Sequence, residues 1–220
     1  MTQPNVIAVG DVHGSYSKLV DAIEPLKGSG KELIFLGDLF DRAPEPDGDM
    51  LVLKYLKDLQ ENAENYGLAG VTILRGNHEQ YLLNLKTNYN DNAYRIWEYN
   101  GGDPQFYNDV DPYLEWIDSF KTKVIRGNYL FVHAGVKPNV PLSRQKMRDL
   151  LWIREEFLDS NHGLPYVVVH GHTVIESMEP EILPYRIGLD TGACFGGPLT
   201  AYEININENT EAFESALVAA

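Results

Sequence analysis

Five short motifs gather the residues of this chain whose types and spacing could bind metals or move protons. They are Gly10-Asp-Val-His-Gly14, Gly37-Asp-Leu-Phe-Asp-Arg42, Gly76-Asn-His-Glu79, His133-Ala-Gly135 and His170-Gly-His-Thr173. Five of the six histidines fall inside them, and only His162 lies in an ordinary loop stretch; histidines serving core or surface would scatter. A donor set of Asp, Asn and His without thiolate suits two divalent ions of the first transition row, because imidazole favours iron, zinc or manganese over magnesium or calcium. One shared carboxylate can bridge two ions about 3.5–4 Å apart, the spacing of two-metal hydrolases. The chemistry this allows is two-metal hydrolysis, and a phosphate ester is one substrate class such a site can take. Two cations would offset the dianion's repulsion of hydroxide and bring the pKa of a bound water toward about 7. An arginine fork can meet two phosphate oxygens at once, and a His-Asp pair can protonate a leaving alkoxide. The sequence has no nucleophilic Ser or Cys pattern, so a phosphoenzyme is not required.

The elements that must position these motifs follow from the apolar pattern. Val6 to Val9, Glu32 to Gly37 and Val71 to Arg75 are largely apolar runs that read as strands, each running into a motif. Helical spacing at Tyr16, Leu19, Val20, Ile23 and Leu26, and again at Val52, Tyr55, Leu56 and Leu59, places helices between them. Strand, helix, strand, helix, strand implies parallel strands with right-handed crossovers. Sites in such sheets lie at the carboxyl ends of the strands. Residues 80–120 read as an aromatic-rich helical insertion packed beside the first sheet, its aromatics serving as core. Thr122 to Ile125 and Tyr129 to Val132 flank Arg126-Gly127-Asn128, a hairpin signal. Ser143 to Phe157 reads as one helix, and its phase puts Arg154 on the apolar stripe with Leu150 and Leu151. An arginine there must meet an anion, either a ligand or Glu155 or Glu156. Tyr166 to Val169 is a further strand, and residues 186–206 alternate short strands and turns. The acidic, weakly patterned tail from Asn207 is expected to fray.

Composition bounds the function. The 220 residues, 44% hydrophobic, predict a single domain over 1–220. The formal charge of −14 argues against a nucleic-acid partner, yet is compatible with a phosphorylated substrate if metals and a few arginines supply local positive charge. The lone cysteine, Cys194, excludes an intramolecular disulfide and a thiolate zinc cluster, and reads as a small buried hydrophobe. The polar N-terminus reaches a strand within five residues and no apolar run approaches 18. A cytoplasmic monomer without signal peptide or membrane span is therefore expected.

The five motifs, together with Asn100-Gly-Gly, Leu151-Trp-Ile-Arg154 and Asp190-Thr-Gly-Ala193, resemble the metallophosphoesterases. More narrowly they are similar to the small phage and bacterial branch of the PPP-type protein phosphatases. The resemblance runs from Val6 to about Ile204. It implies an α/β fold: a metallophosphoesterase-type β-sandwich of two mixed sheets flanked by helices, with the helical insertion around 80–120. It implies that Asp11 and His13 bind a first metal, that Asp38 bridges, and that Asn77, His133 and His172 complete the second site. His78 would protonate the leaving oxygen with Asp41 orienting it, while Arg42, Arg154, Asn77 and His78 contact the phosphate. The expected activity is hydrolysis of phosphoserine and phosphothreonine in phosphoproteins or phosphopeptides, with phosphotyrosine as a further substrate, by direct attack of a metal-bridging hydroxide. Manganese is the expected metal in vitro, with iron or zinc as alternatives. Two other readings stand beside it, a symmetrical dinucleoside-tetraphosphate hydrolase and an inactive scaffold of the same fold. His170 has no role in the family pattern and reads as packing beside the ligands. Glu79 reads as a helix-start or supporting carboxylate, and His162 as exposed. Many relatives have Gly after Asp-Arg, where this chain has Ala43-Pro44, so the substrate groove is expected to differ there.

Overall fold

The alternation of side chains along the central strands explains why their sequences are apolar throughout. In the computed structural model, which describes residues 5–206, β1 (Val6–Val9) lies between two layers. Val6 and Ala8 face a second sheet, whereas Ile7 and Val9 face helices. Both faces of the strand are therefore covered, as is usual for parallel sheets. β1 pairs in parallel with β2 (Glu32–Phe35), and β2 in parallel with β3 (Gly70–Ile73). The crossovers are α1 (Tyr16–Ile23) and α2 (Gly48–Glu61), as the apolar spacing predicts.

The expected helical insertion is present. It comprises α3 (Asn77–Thr87), α4 (Asp91–Tyr99), α5 (Pro104–Asp109) and α6 (Leu114–Asp118). Trp97, Phe106, Val110, Ile117 and Phe120 join the core on the helical side of the first sheet. The predicted hairpin follows as β4 (Lys123–Arg126) and β5 (Tyr129–Val132), antiparallel.

One expected helix is two. The stretch 143–157 forms α7 (Met147–Trp152) and α8 (Glu155–Leu158), and Arg154 between them has φ −131° and ψ −107°. The helical-phase argument for Arg154 therefore fails, although the residue still reaches the site by another route. β6 (Val167–His170) continues the second sheet, followed by β7 (Glu181–Ile182) and β8 (Arg186–Gly188). This sheet has the order β4-β5-β6-β8-β7 and is mixed. Phe131 and Val169 point to the first sheet, while Leu130, Val132 and Val168 pack with Leu150 and Phe157 of the outer helices. The last described strand, β9 (Ala201–Ile204), leaves the second sheet and pairs antiparallel with β1. The first sheet thus has the order β3-β2-β1-β9 and is mixed as well. The expectation for the tail from Asn207 lies outside the described residues. No helix among the described residues is long and apolar enough to cross a membrane.

Candidate metal centre

β1, β2 and β3 run parallel and deliver the first three motifs from the same end of their sheet. β5 and β6 are likewise parallel and deliver the last two. All five meet around the carboxylate of Asp38. Its Oδ2 lies 3.6 Å from His13 Nε2, 3.4 Å from His133 Nε2 and 4.0 Å from His78 Nε2. Ligand atoms of His13, Asp38 and His78 form one group within 4.8 Å of one another, and those of Asp38, His133 and His172 form another. Asp38 belongs to both.

The backbone is bent to make this possible. Among the eight described non-glycine residues with positive φ are His13, Asp38, Asp41, Arg42 and His172. Each costs of order 1–3 kcal/mol and persists only where its surroundings fix it. The fixing is visible at Asp38. Its carbonyl accepts from Val12 N and His13 N, and its own N–H donates to Glu79 Oε2. Glu79, fully buried, also accepts from Leu39 N and Gly76 N. It ties the second motif to the third, the supporting part expected of it. Burial, reinforced by the charge of Asp38, pushes its carboxyl up to about 7. Two glycines allow the loops to touch. A Cβ on Gly76 would lie 2.2 Å from Asp38 Oδ1, and one on Gly171 would lie 1.9 Å from Asp11 Oδ1.

The protons on the imidazoles follow from their partners. His13 Nδ1 faces the carbonyl of Phe40 and His133 Nδ1 that of Leu36. Each therefore donates from Nδ1 and turns Nε2 inward. Burial holds His13 down to about 3 and His172 down to about 2, so both rings are neutral donors for a cation. His172 Nε2 is buried without a hydrogen-bond partner. Burial also opposes charge on His133, but Asp38 outweighs it and lifts that ring to about 9. Asn77 Oδ1 lies 2.9 Å from His133 Nε2, next to the same carboxylate. Asp11 accepts from His172 N, and burial, followed by the charge of Asp190, pushes its carboxyl well above the ordinary range. Inward nitrogens, an amide oxygen and crowded carboxylates, one nitrogen orphaned, form an arrangement that a cation stabilises and that repels itself without one. The residues present therefore fit divalent metals.

His78 is turned differently from the rest. Its Nδ1 is 2.6 Å from Asp41 Oδ2. Burial lowers its affinity for a proton, but Asp38 and Asp41 together outweigh that and hold it above the usual histidine value. Arg42 donates to His13 Nε2 and to the carbonyl of Asn100. Arg154 donates to the carbonyl of His172 and to Thr173 Oγ1, not to Glu155 or Glu156. The structure brings His13, Asp38, His78, His133 and His172 into the two groups, while Asn77 bonds His133, Asp41 bonds His78, and Asp11, in neither group, adjoins through His172 N.

His170 points away. Its ring meets Phe157 edge-on at 5.0 Å, which is the packing expected of it. The expectation for His162 was wrong. It is fully buried, accepting from Leu164 N and bonded to the carbonyl of Tyr185. Trp97 was read as core and is core, but its Nε1 also donates to both oxygens of Asp41. No sequence signal marked that contact beyond the nearby Asn100-Gly-Gly.

Comparison with known proteins agrees with the geometry. Residues 4–198 match the family described as calcineurin-like phosphoesterase. The chain is 28% identical over 220 residues to serine/threonine-protein phosphatase 1 of Salmonella typhimurium, covering 91% of this chain and 92% of that one. It is 23% identical over 228 residues to an asymmetrical bis(5'-nucleosyl)-tetraphosphatase of a Geobacillus species, covering 88% of each. A cold-active protein-tyrosine phosphatase of a Shewanella species has the same fold, with a TM-score of 0.61 at 18% identity, covering 93% of this chain and 81% of that one. The fold implies a dinuclear divalent metal site.

Proposed function

The chain belongs to the calcineurin-like phosphoesterase family, and from that premise we propose that it is a two-metal phosphomonoesterase acting on phosphoserine and phosphothreonine in proteins, with phosphotyrosine as a further substrate. The observation that carries this reading is the place of Asp38 in both groups of ligand atoms. Asp11, His13 and Asp38 would hold one ion, with His78 of the first group kept for the leaving oxygen by its bond to Asp41, and Asp38, Asn77, His133 and His172 would hold the other. Manganese suits this N and O donor set, as do iron and zinc. When bound, the ions would offset the charge of the phosphate ester and acidify water for attack on phosphorus.

The chain's own residues do the rest. His78, with Nδ1 engaged by Asp41, holds a proton on Nε2 and gives it to the leaving oxygen. Arg42 and Arg154 bind phosphate oxygens through their guanidinium forks. Arg42 now donates to the His13 lone pair that a metal would take. With that lone pair on a metal, Arg42 would be available to the phosphate.

The surroundings favour a peptide. Beside Arg42 lies a cavity of about 410 Å³ whose lining includes Glu45, Asp47 and Asp103. Acidic walls suit a phosphopeptide with basic residues and repel a polyanionic dinucleotide. The similarity to tetraphosphatases supports a second reading, hydrolysis of dinucleoside tetraphosphates. The test is a manganese-supplemented panel of phosphopeptides, a dinucleoside tetraphosphate and an aryl phosphate. A kcat/KM for phosphopeptide at least tenfold above that for the dinucleotide is expected. The opposite order would establish the second reading, and no turnover of any substrate would leave an inactive scaffold.

A further inference from the structure

Asp41 has no exposure to solvent, and its carboxylate has two side-chain partners. One is His78, at 2.6 Å from Oδ2. The other is Trp97, whose Nε1 is 3.1 Å from Oδ1 and 3.0 Å from Oδ2. Trp97 itself is 2% exposed and is wedged against Tyr94 and Tyr107. Its ring is also covered by backbone: a Cβ at Gly102 would lie 2.1 Å from it. The turn that brings Gly102 there does a second thing. The carbonyl of Gly101 accepts from Arg42 N at 2.7 Å, and that of Asn100 accepts from Arg42 Nε at 3.2 Å. Residues 97–102 therefore touch the partner of the acid on one side and a phosphate arginine on the other. Core packing would explain the buried ring, but it does not require an N–H aimed at the carboxylate that faces His78.

We propose that Trp97 is a positioning residue for the leaving-group acid, its indole N–H fixing the carboxylate of Asp41, which in turn fixes the ring of His78. The Asn100-Gly-Gly turn locks the indole in place and holds Arg42 by its backbone. The helical insertion thus sets the proton donor and one phosphate ligand as a unit. The inference rests on the acid role of His78 proposed above.

Trp97→Phe tests it, since the ring remains and the N–H is lost. Removing a general acid costs about 10²–10⁴-fold, and misaligning one should cost part of that, about tenfold. We expect kcat for an alkyl phosphate monoester to fall by that factor, kcat for 4-nitrophenyl phosphate to fall less than about twofold, and KM and metal content to stay within about twofold. In an Asp41→Ala background the same substitution should cost nothing further. Should Trp97→Phe not fold, replacing the indole at position 97 by benzothiophene keeps the ring's shape and removes only the N–H. Equal losses on both substrates, or a full additional loss in the Asp41→Ala background, would overturn the inference. His78→Asn is measured alongside. If it too loses equally on both substrates, the acid reading fails and takes this inference with it. If it discriminates and the Trp97 variants do not, only this inference fails.

Discussion

Asn77 and His78 are neighbours in sequence with different surroundings. Asn77 Oδ1 meets His133 Nε2, whereas His78 Nδ1 meets Asp41. His78→Asn should therefore leave both metals bound while lowering kcat about 10²–10⁴-fold for an alkyl leaving group and much less for an aryl one. Loss of a metal in that variant, measured by elemental analysis, would show that the ring is a ligand. Asp38 is the opposite case, because one carboxylate serves both groups. Asp38→Asn should weaken both ions together, and two ions held at wild-type affinity would contradict the bridge. Away from the metals, Asp49 is 3% exposed with Oδ1 unpartnered. Burial, with the charges of Asp41 and Asp103, pushes it up to about 8. Its folded value lies above the unfolded one, so the folded state keeps a proton that the unfolded chain releases. Its stabilising contribution is then complete below about pH 4, is lost as pH rises to about 8, and is flat above. Asp49→Asn, which mimics the protonated form, should gain on wild type by about 1–3 kcal/mol across that window. Parallel stability curves from pH 4 to 8 would refute this.

Elements were the most legible part of the sequence, because burial on both faces writes itself as apolar runs. β1, β2, β5 and β6 stand within two residues of where those runs lie, and the turn between β4 and β5 was marked by Arg126-Gly127-Asn128, of which Arg126 ends β4. The break before Arg154 was not legible. Its cause is tertiary: Arg154 donates to the carbonyl of His172 and to Thr173, and no local residue type demands that. The burial of His162 and the Trp97–Asp41 bond were hidden for the same reason, since their partners lie 23 and 56 residues away. Ligand types and spacing survive in sequence, whereas the groups that orient ligands are read only from the fold. The turn after β6 offers a test at this scale. Gly171→Ala places a methyl against the carboxylate of Asp11, which is buried and held by His172 N. It should cost about 1–3 kcal/mol and lower metal content as well. Gly70→Ala in β3, where a Cβ meets nothing within 4 Å, should change the melting temperature little. Metal content unaffected by Gly171→Ala would show that this contact does not shape the site.

At the scale of the whole molecule, the first sheet supplies Asp11, His13, Asp38 and Asn77 while the second supplies His133 and His172. Ions shared between them would clamp one sheet to the other. Chelation should therefore lower the melting temperature, and manganese should restore it; free ion at 100 times its dissociation constant is worth about 2.7 kcal/mol. Identical melting curves for stripped and manganese-loaded protein would count against the clamp. The pairing of β9 with β1 has a consequence for how the chain is made. β1 leaves the ribosome long before β9, yet among the described residues its outer edge is paired by Ala201–Ile204 alone. From the emergence of β1 until that of β9 the nascent chain must carry an unsealed strand edge made of Val, Ile, Ala and Val, the kind of template on which other chains add. Chains stalled before β9 should aggregate or be captured by chaperones, and adding β9 should release them.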